Sequence, residues 1–234
     1  MKIAMWSGPR NLSTALMYAF GNRSDFEAYD EPFYAAYLAA TRHQHPMFAE
    51  ILRAHETDPL HIADVCATEP RQHSYMKHMP HHMLEGFPLD WAKDCVNIHL
   101  LRHPARVISS YIAKHDQITL DDIGYAQQLT VYEKLGGVII DSADIRAAPE
   151  PALRHLCAEI GLTFDPKMLG WHPGPRRFDG IWAKHWYAAV HRSSGFAGPE
   201  ESLPTLEGPH RDLLDAAMPI YEALSNRVLR LGAS

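Results

Sequence analysis

Residues 2–20 read KIAMWSGPRNLSTALMYAF, and this stretch indicates how the fold begins. Residues 2–6 are mostly apolar and predict a first strand, and residues 12–22 carry apolar side chains at helical spacing and predict a helix. The turn between them, WSGPRNLST, contains an arginine and several small polar side chains. The sequence therefore predicts a strand–turn–helix unit whose turn is rich in hydrogen-bond donors.

The same alternation continues along the chain. Further strands are predicted at residues 26–29, 74–77, 96–101 and 137–141. Further helices are predicted at residues 33–40, 47–55, 105–115, 121–135, 151–160 and 210–229. Such alternation favours an α/β fold, and we expect one domain, 1–234, with a three-layer architecture, a mostly parallel sheet of about five strands and a C-terminal helix.

The composition is that of an ordinary globular protein. Of the 234 residues, 46% are apolar and 21% are charged, which argues against long disordered stretches. The formal charge of −6 disfavours a general binder of nucleic acid or of acidic membranes. Three cysteines, odd in number and far apart, indicate reduced thiols, and no apolar run approaches the ~18 residues of a membrane-spanning helix. We therefore expect a cytoplasmic protein with no nucleic-acid or membrane partner.

Polar residues follow each predicted strand at the point where the strand ends. They are the turn at residues 7–14, Asp30 and Glu31, Lys77 and His78, Arg102 and His103, and Asp141 and Ser142. Ligands of open parallel sheets bind beyond the carboxyl ends of the strands. The sequence therefore predicts a functional site at this edge of the sheet.

The first turn has two interpretations. A helix N-terminus offers unpaired backbone N–H groups and a positive dipole, and Arg10, Ser13 and Thr14 would add donors for a phosphate or sulfate. In the other interpretation, Ser7 and Asn11 only cap the helix. The turn lacks the Gly-Lys pair of a nucleotide-triphosphatase loop, and the fourth strand ends in Arg-His-Pro rather than in an acidic metal ligand. Both features indicate an anionic ligand bound without Mg²⁺.

Three segments carry a family resemblance: Pro9-Arg10-Asn11-Leu12-Ser13-Thr14, LLRHPARVISSY at residues 100–111, and Lys77-His78-Met79-Pro80. They resemble segments of the sulfotransferases that use 3′-phosphoadenosine 5′-phosphosulfate (PAPS), whose fold is P-loop-like and related to that of P-loop NTPases. The resemblance implies that residues 9–14 hold the 5′-phosphosulfate, and that Arg102 and Ser110 bind the 3′-phosphate. Asn11 and Leu12 depart from the family motif, which has Ser-Gly at these positions.

A later segment, FDGIWAKHWYAAVHRSSGF at residues 178–196, is similar to the region that closes over the adenosine in this family. The similarity implies that Arg192 contacts the nucleotide. Trp6, Trp182 and Trp186 are core residues in one interpretation, and in the other one of them stacks on the adenine. Some relatives are joined to an aminotransferase-like partner, but this sequence shows no pyridoxal-phosphate site.

The resemblance implies transfer of a sulfuryl group from PAPS, as a co-substrate, to a hydroxyl or amine of a small-molecule acceptor, with no metal. Because such transfer depends on positioning and charge stabilisation, we assign Arg10 and Lys77 to the leaving phosphate. His78 is the favoured base from its place in the third segment, and Glu31 is its rival. The other candidate bases are His81 and His82.

Several alternatives stay open at this point. His78, His81 and His82 lie within five residues and are either zinc ligands or hydrogen-bonded histidines at a helix start. The competing functions are another phosphate-handling transferase, such as a small-molecule kinase, and a non-catalytic nucleotide-binding module. The acceptor pocket is expected between the helices after Pro32 and the stretch 116–130, where no pattern identifies the acceptor. Oligomeric state has no sequence signal either.

Overall fold

The centre of the fold is a five-stranded sheet in which every neighbouring pair is parallel. The computed structural model describes residues 1–113 and 117–229. The strands are β1 (Lys2–Ser7), β2 (Phe26–Asp30), β3 (His73–His78), β4 (Val96–Leu101) and β5 (Val138–Asp141), and their order across the sheet is β2-β3-β1-β4-β5. The predicted parallel sheet of five strands is therefore confirmed.

Helices cover both faces of this sheet and occupy most of the connections between strands. They are α1 (Ser13–Gly21), α2 (Tyr34–Thr41), α3 (Phe48–Ala54), α4 (Pro59–Ala67), α5 (Pro104–Ile112), α6 (Leu120–Ile123), α7 (Tyr125–Leu135), α8 (Ser142–Ala147), α9 (Pro149–Glu159), α10 (Ala183–Trp186), α11 (Ala188–His191) and α12 (Pro209–Ser225). Within the described ranges, no helix combines the length and the apolar character that crossing a bilayer requires.

The two faces of β1 explain why this strand is buried along its whole length. Ile3 and Met5 belong to the larger apolar cluster, which includes side chains of α1 and α9. Ala4 and Trp6 belong to a second cluster on the other face, together with Trp91. Since both faces of a parallel sheet are covered, its strands are near-continuous apolar runs. This burial holds the carboxyl end of β1 and the turn that follows it in place.

The helix boundaries differ from the prediction at a few places. The predicted helix 121–135 is divided at Gly124, whose φ of 72° ends α6 before α7 begins. The helices α4 and α8 were not predicted, although α4 begins with an Asp58 cap and a proline at its first position. The predicted end of the helix 105–115, which corresponds to α5, and the start of the predicted stretch 116–130 lie outside the described residues.

The parallel arrangement places the carboxyl ends of all five strands along one edge. From β2 to β5 across the sheet, that edge carries Asp30 and Glu31, then Lys77, then the turn after β1, then Arg102, and finally Asp141. The predicted convergence of polar groups follows directly from this topology.

Candidate active site

A cavity of about 390 Å³ opens at the carboxyl edge of the sheet. Its walls are the turn after β1, the ends of β2, β3 and β4, and the segment that contains α10 and α11. The sequence-predicted residues that line it are Pro9, Arg10, Asn11, Leu12, Ser13, Thr14, Glu31, Lys77, Arg102 and Ser110. The structure therefore brings together most of the predicted site. His78 and Arg192 are the exceptions.

The turn after β1 leaves the N-terminus of α1 without a side-chain cap. The residue before α1 is Leu12, which makes no capping hydrogen bond. Ser7 Oγ donates to the carbonyl of Gly8, and Asn11 Nδ2 donates to the carbonyl of Leu100 at 3.3 Å. The interpretation in which Ser7 and Asn11 cap the helix is therefore wrong. The first N–H groups of α1 belong to residues that line the cavity, where an anion is favoured.

The same turn holds two non-glycine residues in the left-handed backbone region. Arg10 has a φ of 64° and Leu12 a φ of 77°. Such conformations cost non-glycine residues about 1–3 kcal/mol and cluster at functional sites. The family motif has glycine at the position of Leu12. Leu12 therefore adopts a left-handed conformation that glycine would adopt more readily.

Arg10 and Arg102 lie side by side at the edge of β1 and β4. Arg10 Nε donates to Ser110 Oγ at 2.9 Å, and Arg102 Nη1 donates to the carbonyl oxygen of Arg10 at 2.7 Å. Burial lowers the pKa of Arg10, and the positive charge of Arg102 lowers it further. Two guanidinium groups and a hydroxyl therefore form one electropositive wall, which joins two segments that are about 90 residues apart in the sequence.

A buried carboxylate that the sequence analysis did not identify lies against this wall. Glu200 Oε1 accepts hydrogen bonds from Arg102 Nε at 2.9 Å, from Arg102 Nη2 at 2.6 Å and from Arg146 Nη1 at 2.7 Å. Glu200 Oε2 lies 2.7 Å from Arg106 Nε. No local pattern could have revealed this group, because it comes from an irregular segment between α11 and α12.

At the other end of the cavity, Lys77 is fully buried among acidic and phenolic oxygens. Its Nζ donates to Asp30 Oδ1 at 2.9 Å, to Tyr187 Oη at 2.7 Å and to Glu31 Oε1. Burial alone would lower the pKa of Lys77, but the carboxylates of Asp30 and Glu31 outweigh it and raise the pKa. Because an ammonium has three N–H donors, the predicted contact between Lys77 and a leaving phosphate requires one of these partners to be exchanged.

Glu31 combines a strained backbone with a buried carboxyl group. Its φ is 45°, and its backbone N–H donates to the carbonyl of Lys77 at 2.9 Å. Burial raises the pKa of Glu31, Asp30 adds to this increase, and Lys77 opposes it. His82 Nδ1 is 3.8 Å from Glu31 Oε2, and burial holds the pKa of His82 well below its usual range. The cavity thus contains a carboxyl group suited to proton transfer beside a neutral imidazole.

His78 lies on the opposite face of the sheet from Lys77. Successive side chains of a strand point to opposite faces, and the ring of His78 stacks on Trp6 at 4.8 Å and lies 4.9 Å from the ring of Trp91. Burial lowers the pKa of His78 to about 3. The structure does not bring His78 to the cavity, so the geometry disfavours the base that the sequence analysis favoured.

The three histidines of the zinc interpretation lie in two different places, because His78 ends β3 whereas His81 and His82 belong to the connection that follows it. His81 and His82 line the cavity, whereas His78 is in the apolar cluster on the other face. His82 is stacked between Tyr34 and Tyr37, at ring distances of 4.8 and 4.7 Å. In the described parts of the chain, no three His, Cys, Asp or Glu side chains form a group that could hold a metal ion.

Side chains of the segment 178–196 form one wall of the cavity, and the closure of this segment over an adenosine stays a prediction. Asp30 anchors the segment, because Asp30 Oδ2 accepts the backbone N–H of Gly180 at 3.0 Å and the hydroxyl of Tyr187 at 2.8 Å. Trp182 and Trp186 line the cavity, whereas Trp6 is in the core on the other face. Arg192 is exposed and is not among the lining residues, so its predicted contact with the nucleotide has no support in this geometry.

The fold and the site together define a parallel α/β domain whose cavity has an electropositive wall at one end and, at the other, a buried carboxyl group beside a neutral imidazole. A family model described as a sulfotransferase domain matches residues 1–228, and the chain belongs to this family.

Two relatives from Arabidopsis thaliana are similar over nearly the whole chain. Branched-chain-amino-acid aminotransferase-like proteins 1 and 2 are each 33% identical to it, over 97% and 95% of its length. These alignments cover only 42% and 41% of the two relatives, so the chain spans about two fifths of their length.

Solved structures confirm the fold. The sulfotransferase domain from the curacin biosynthetic pathway matches with a TM-score of 0.58 and 18% identity, covering 97% of this chain and 98% of that one. The sulfotransferase domain of the Synechococcus PCC 7002 olefin synthase matches with a TM-score of 0.56 and 15% identity, covering 96% of this chain and 94% of that one. A sulfotransferase from Alicyclobacillus acidocaldarius matches with a TM-score of 0.53 and 13% identity, covering 97% of this chain and 96% of that one. The P-loop-like fold that the resemblance implied is therefore confirmed.

Proposed function

We propose that this sulfotransferase uses PAPS as its sulfuryl donor, that its acceptor is a hydroxyl or amine of a small molecule, and that Glu31 is the base. The observation that carries the proposal is the single cavity that joins Arg10, Arg102 and the uncapped N-terminus of α1 to Glu31. A volume of about 390 Å³ is within the usual range for small-molecule sites, about 300–1,000 Å³.

The positions of the charged groups support an orientation for the donor. The turn at residues 9–14 faces the 5′-phosphosulfate, and Arg102 and Ser110 face the 3′-phosphate, toward β4. The acceptor then lies toward β2 and β3, beside Glu31 and the aromatic ring of Tyr34. In the proposed orientation, the sulfuryl group lies between the leaving phosphate and the acceptor, as in-line transfer requires.

Catalysis of this transfer depends mainly on positioning the reactants and on stabilising the charge that develops. The acceptor oxygen or nitrogen forms a bond to sulfur while the bond between sulfur and the phosphate oxygen breaks, and 3′,5′-ADP leaves. The Glu31 carboxylate takes the acceptor's proton, and its raised pKa suits that role. Arg10 and the N–H groups of residues 9–14 stabilise the charge that develops on the leaving phosphate.

Nucleotide binding and transfer test the proposal separately. In a thermal-shift comparison of 3′,5′-ADP, 5′-AMP, ATP with Mg²⁺ and pyridoxal phosphate, we expect the largest stabilisation from 3′,5′-ADP. Radiolabelled PAPS with a panel of phenols, alcohols and amines should then show label transfer. Equal stabilisation by 3′,5′-ADP and 5′-AMP would contradict the 3′-phosphate assignment, and a preference for ATP with Mg²⁺ would favour a kinase.

Replacing Arg102 with alanine should remove the preference for the 3′-phosphate. Hydrogen bonds to charged groups contribute about 1.5–3 kcal/mol, so the ratio of 3′,5′-ADP to 5′-AMP affinity should fall about 10- to 100-fold. Isothermal titration calorimetry measures both affinities. Arg192→Ala is the matched control, because Arg192 is exposed and lies outside the lining, and it should leave the ratio unchanged. An equal loss of affinity for both nucleotides in Arg102→Ala would assign Arg102 to another part of the ligand.

A further inference from the structure

The carboxylate of Glu200 lies among three arginines, two of which, Arg102 and Arg146, line the cavity. Its side chain is only 4% exposed, and Arg102, Arg106 and Arg146 all contact it within 2.9 Å. We call these four residues the Glu200 cluster. The glutamate belongs to the segment between α11 and α12, and the three arginines belong to the connection after β4, to α5 and to α8.

The charges of the Glu200 cluster do not cancel. Three guanidinium groups face one carboxylate, which leaves an excess of two positive charges in a largely buried place. Buried charge without compensation is unfavourable, and arginine pairs bidentately with phosphate as well as with carboxylate. A phosphate monoester dianion would balance these arginines better than a single carboxylate does.

Glu200 uses the same donors that the 3′-phosphate needs. Arg102 Nε and Nη2 both donate to Glu200, and Arg102 Nη1 donates to the carbonyl of Arg10. Arg102 and Arg146 line the cavity, so a ligand inside it reaches both guanidinium groups. A bound phosphate and the Glu200 carboxylate therefore compete for one set of hydrogen bonds.

We propose that Glu200 is an internal anion that fills the 3′-phosphate site and is displaced when the nucleotide binds, and that Arg146 then binds this phosphate together with Arg102. The inference rests on the proposed function. Arg106 is not among the residues that line the cavity; it adds positive charge and holds the segment of Glu200.

The segment can stay in place while the glutamate side chain leaves. Arg146 Nε donates to the backbone carbonyl of Gly198 at 2.8 Å, and Arg106 Nη2 donates to that of Glu201. The acceptors of these two bonds are backbone carbonyls, one on each side of Glu200, so neither bond depends on the Glu200 side chain. Displacement therefore requires rotation of one side chain and not movement of the whole segment.

The test compares Glu200→Gln with Glu201→Gln, whose side chain is exposed. Removal of the competing charge should tighten binding of 3′,5′-ADP to Glu200→Gln about 10- to 100-fold, which corresponds to the roughly 1.5–3 kcal/mol of one charge-assisted hydrogen bond. The affinity for 5′-AMP should not change, and Glu201→Gln should match the parent for both. Calorimetric titration gives all the affinities. Unchanged or weaker binding of 3′,5′-ADP to Glu200→Gln would overturn the proposal, and weaker binding would show that Glu200 holds the arginines for the ligand.

Inorganic phosphate separates this proposal from the proposed function. It should raise the melting temperature of Glu200→Gln more than that of Glu201→Gln, even if the unliganded Glu200→Gln protein is less stable. Equal stabilisation of the two variants would overturn the anion site. If phosphate is selective in this way but 3′,5′-ADP is not bound, the anion site stands and the nucleotide assignment fails. Arg146→Gln is an independent variant, and it should weaken the binding of 3′,5′-ADP but not that of 5′-AMP. If its affinity for 3′,5′-ADP is unchanged, Arg146 does not bind the phosphate.

Discussion

Replacing Lys77 with methionine is expected to lower the free energy of unfolding by about 3–5 kcal/mol, because it leaves buried carboxylates without their cation. Lys77 has no exposed surface and donates to Asp30, Glu31 and Tyr187. Methionine fills a similar volume, so most of the loss reflects charge and not a cavity. Urea unfolding at pH 7 measures the effect. Lys93→Met is the matched control, because Lys93 forms an exposed pair with Asp90 and should change the stability by less than about 1 kcal/mol.

The pH dependence of the stability of Lys77→Met shows whether the loss of stability comes from charge or from packing. Burial raises the pKa of Glu31 above its ordinary value of 4.5 while Lys77 opposes the rise, so removal of Lys77 raises the pKa further. A carboxyl group with a raised pKa keeps its proton in the folded state at a pH where the unfolded chain has lost it. Stability then falls as the pH rises above 4.5, and Lys77→Met should regain stability as the pH is lowered from 7 toward 4.5. A loss that does not vary with pH would indicate packing as the cause.

Replacing Glu31 with glutamine is expected to reduce the rate of sulfuryl transfer about 10²- to 10⁴-fold, the usual contribution of a general base. Glutamine keeps the shape of the side chain but accepts no proton, while Lys77 retains its contacts with Asp30 and Tyr187. The rate is measured with labelled PAPS and an acceptor that the panel identifies. Affinity for 3′,5′-ADP should stay close to that of the parent, because Glu31 lies at the opposite end of the cavity from Arg102.

A matched histidine variant distinguishes the two candidate bases. His78→Gln changes a residue on the other face of the sheet, and a folded sample should keep its rate within about threefold, far from the effect of losing a base. The rate of the parent should rise with pH through the raised pKa of Glu31, and Glu31→Gln should lack this rise. A large loss in folded His78→Gln with little loss in Glu31→Gln would return the role of base to the histidine.

The parts of the site that could be predicted are those that local sequence determines. The turn at residues 9–14 and the end of β4 are strand–turn–helix units, and parallel topology alone brings Arg10 and Arg102 to one edge. The choice between Lys77 and His78 could not be predicted. Both are buried at the end of a strand that is covered on both faces, so hydrophobic alternation does not show which one points to the cavity.

Contacts made by irregular segments were beyond prediction for a different reason. Glu200 follows a Gly-Pro pair in a segment without helix or strand, and its partner Arg102 is 98 residues away. No periodicity links the two positions. Arg192 lies just after α11, where a shift of one residue exchanges an exposed side chain for a cavity-lining one such as Ser193, so its contact with the nucleotide stays a prediction.

The order of the strands also has a consequence for redesign. Groups proposed for the acceptor come from β2 and β3, whereas those proposed for the donor come from the far side, from the turn after β1 onward to β4 and α8. If the proposed roles hold, we expect mutagenesis libraries confined to α2 and the connection after β3 to diversify acceptor choice while donor recognition stays constant.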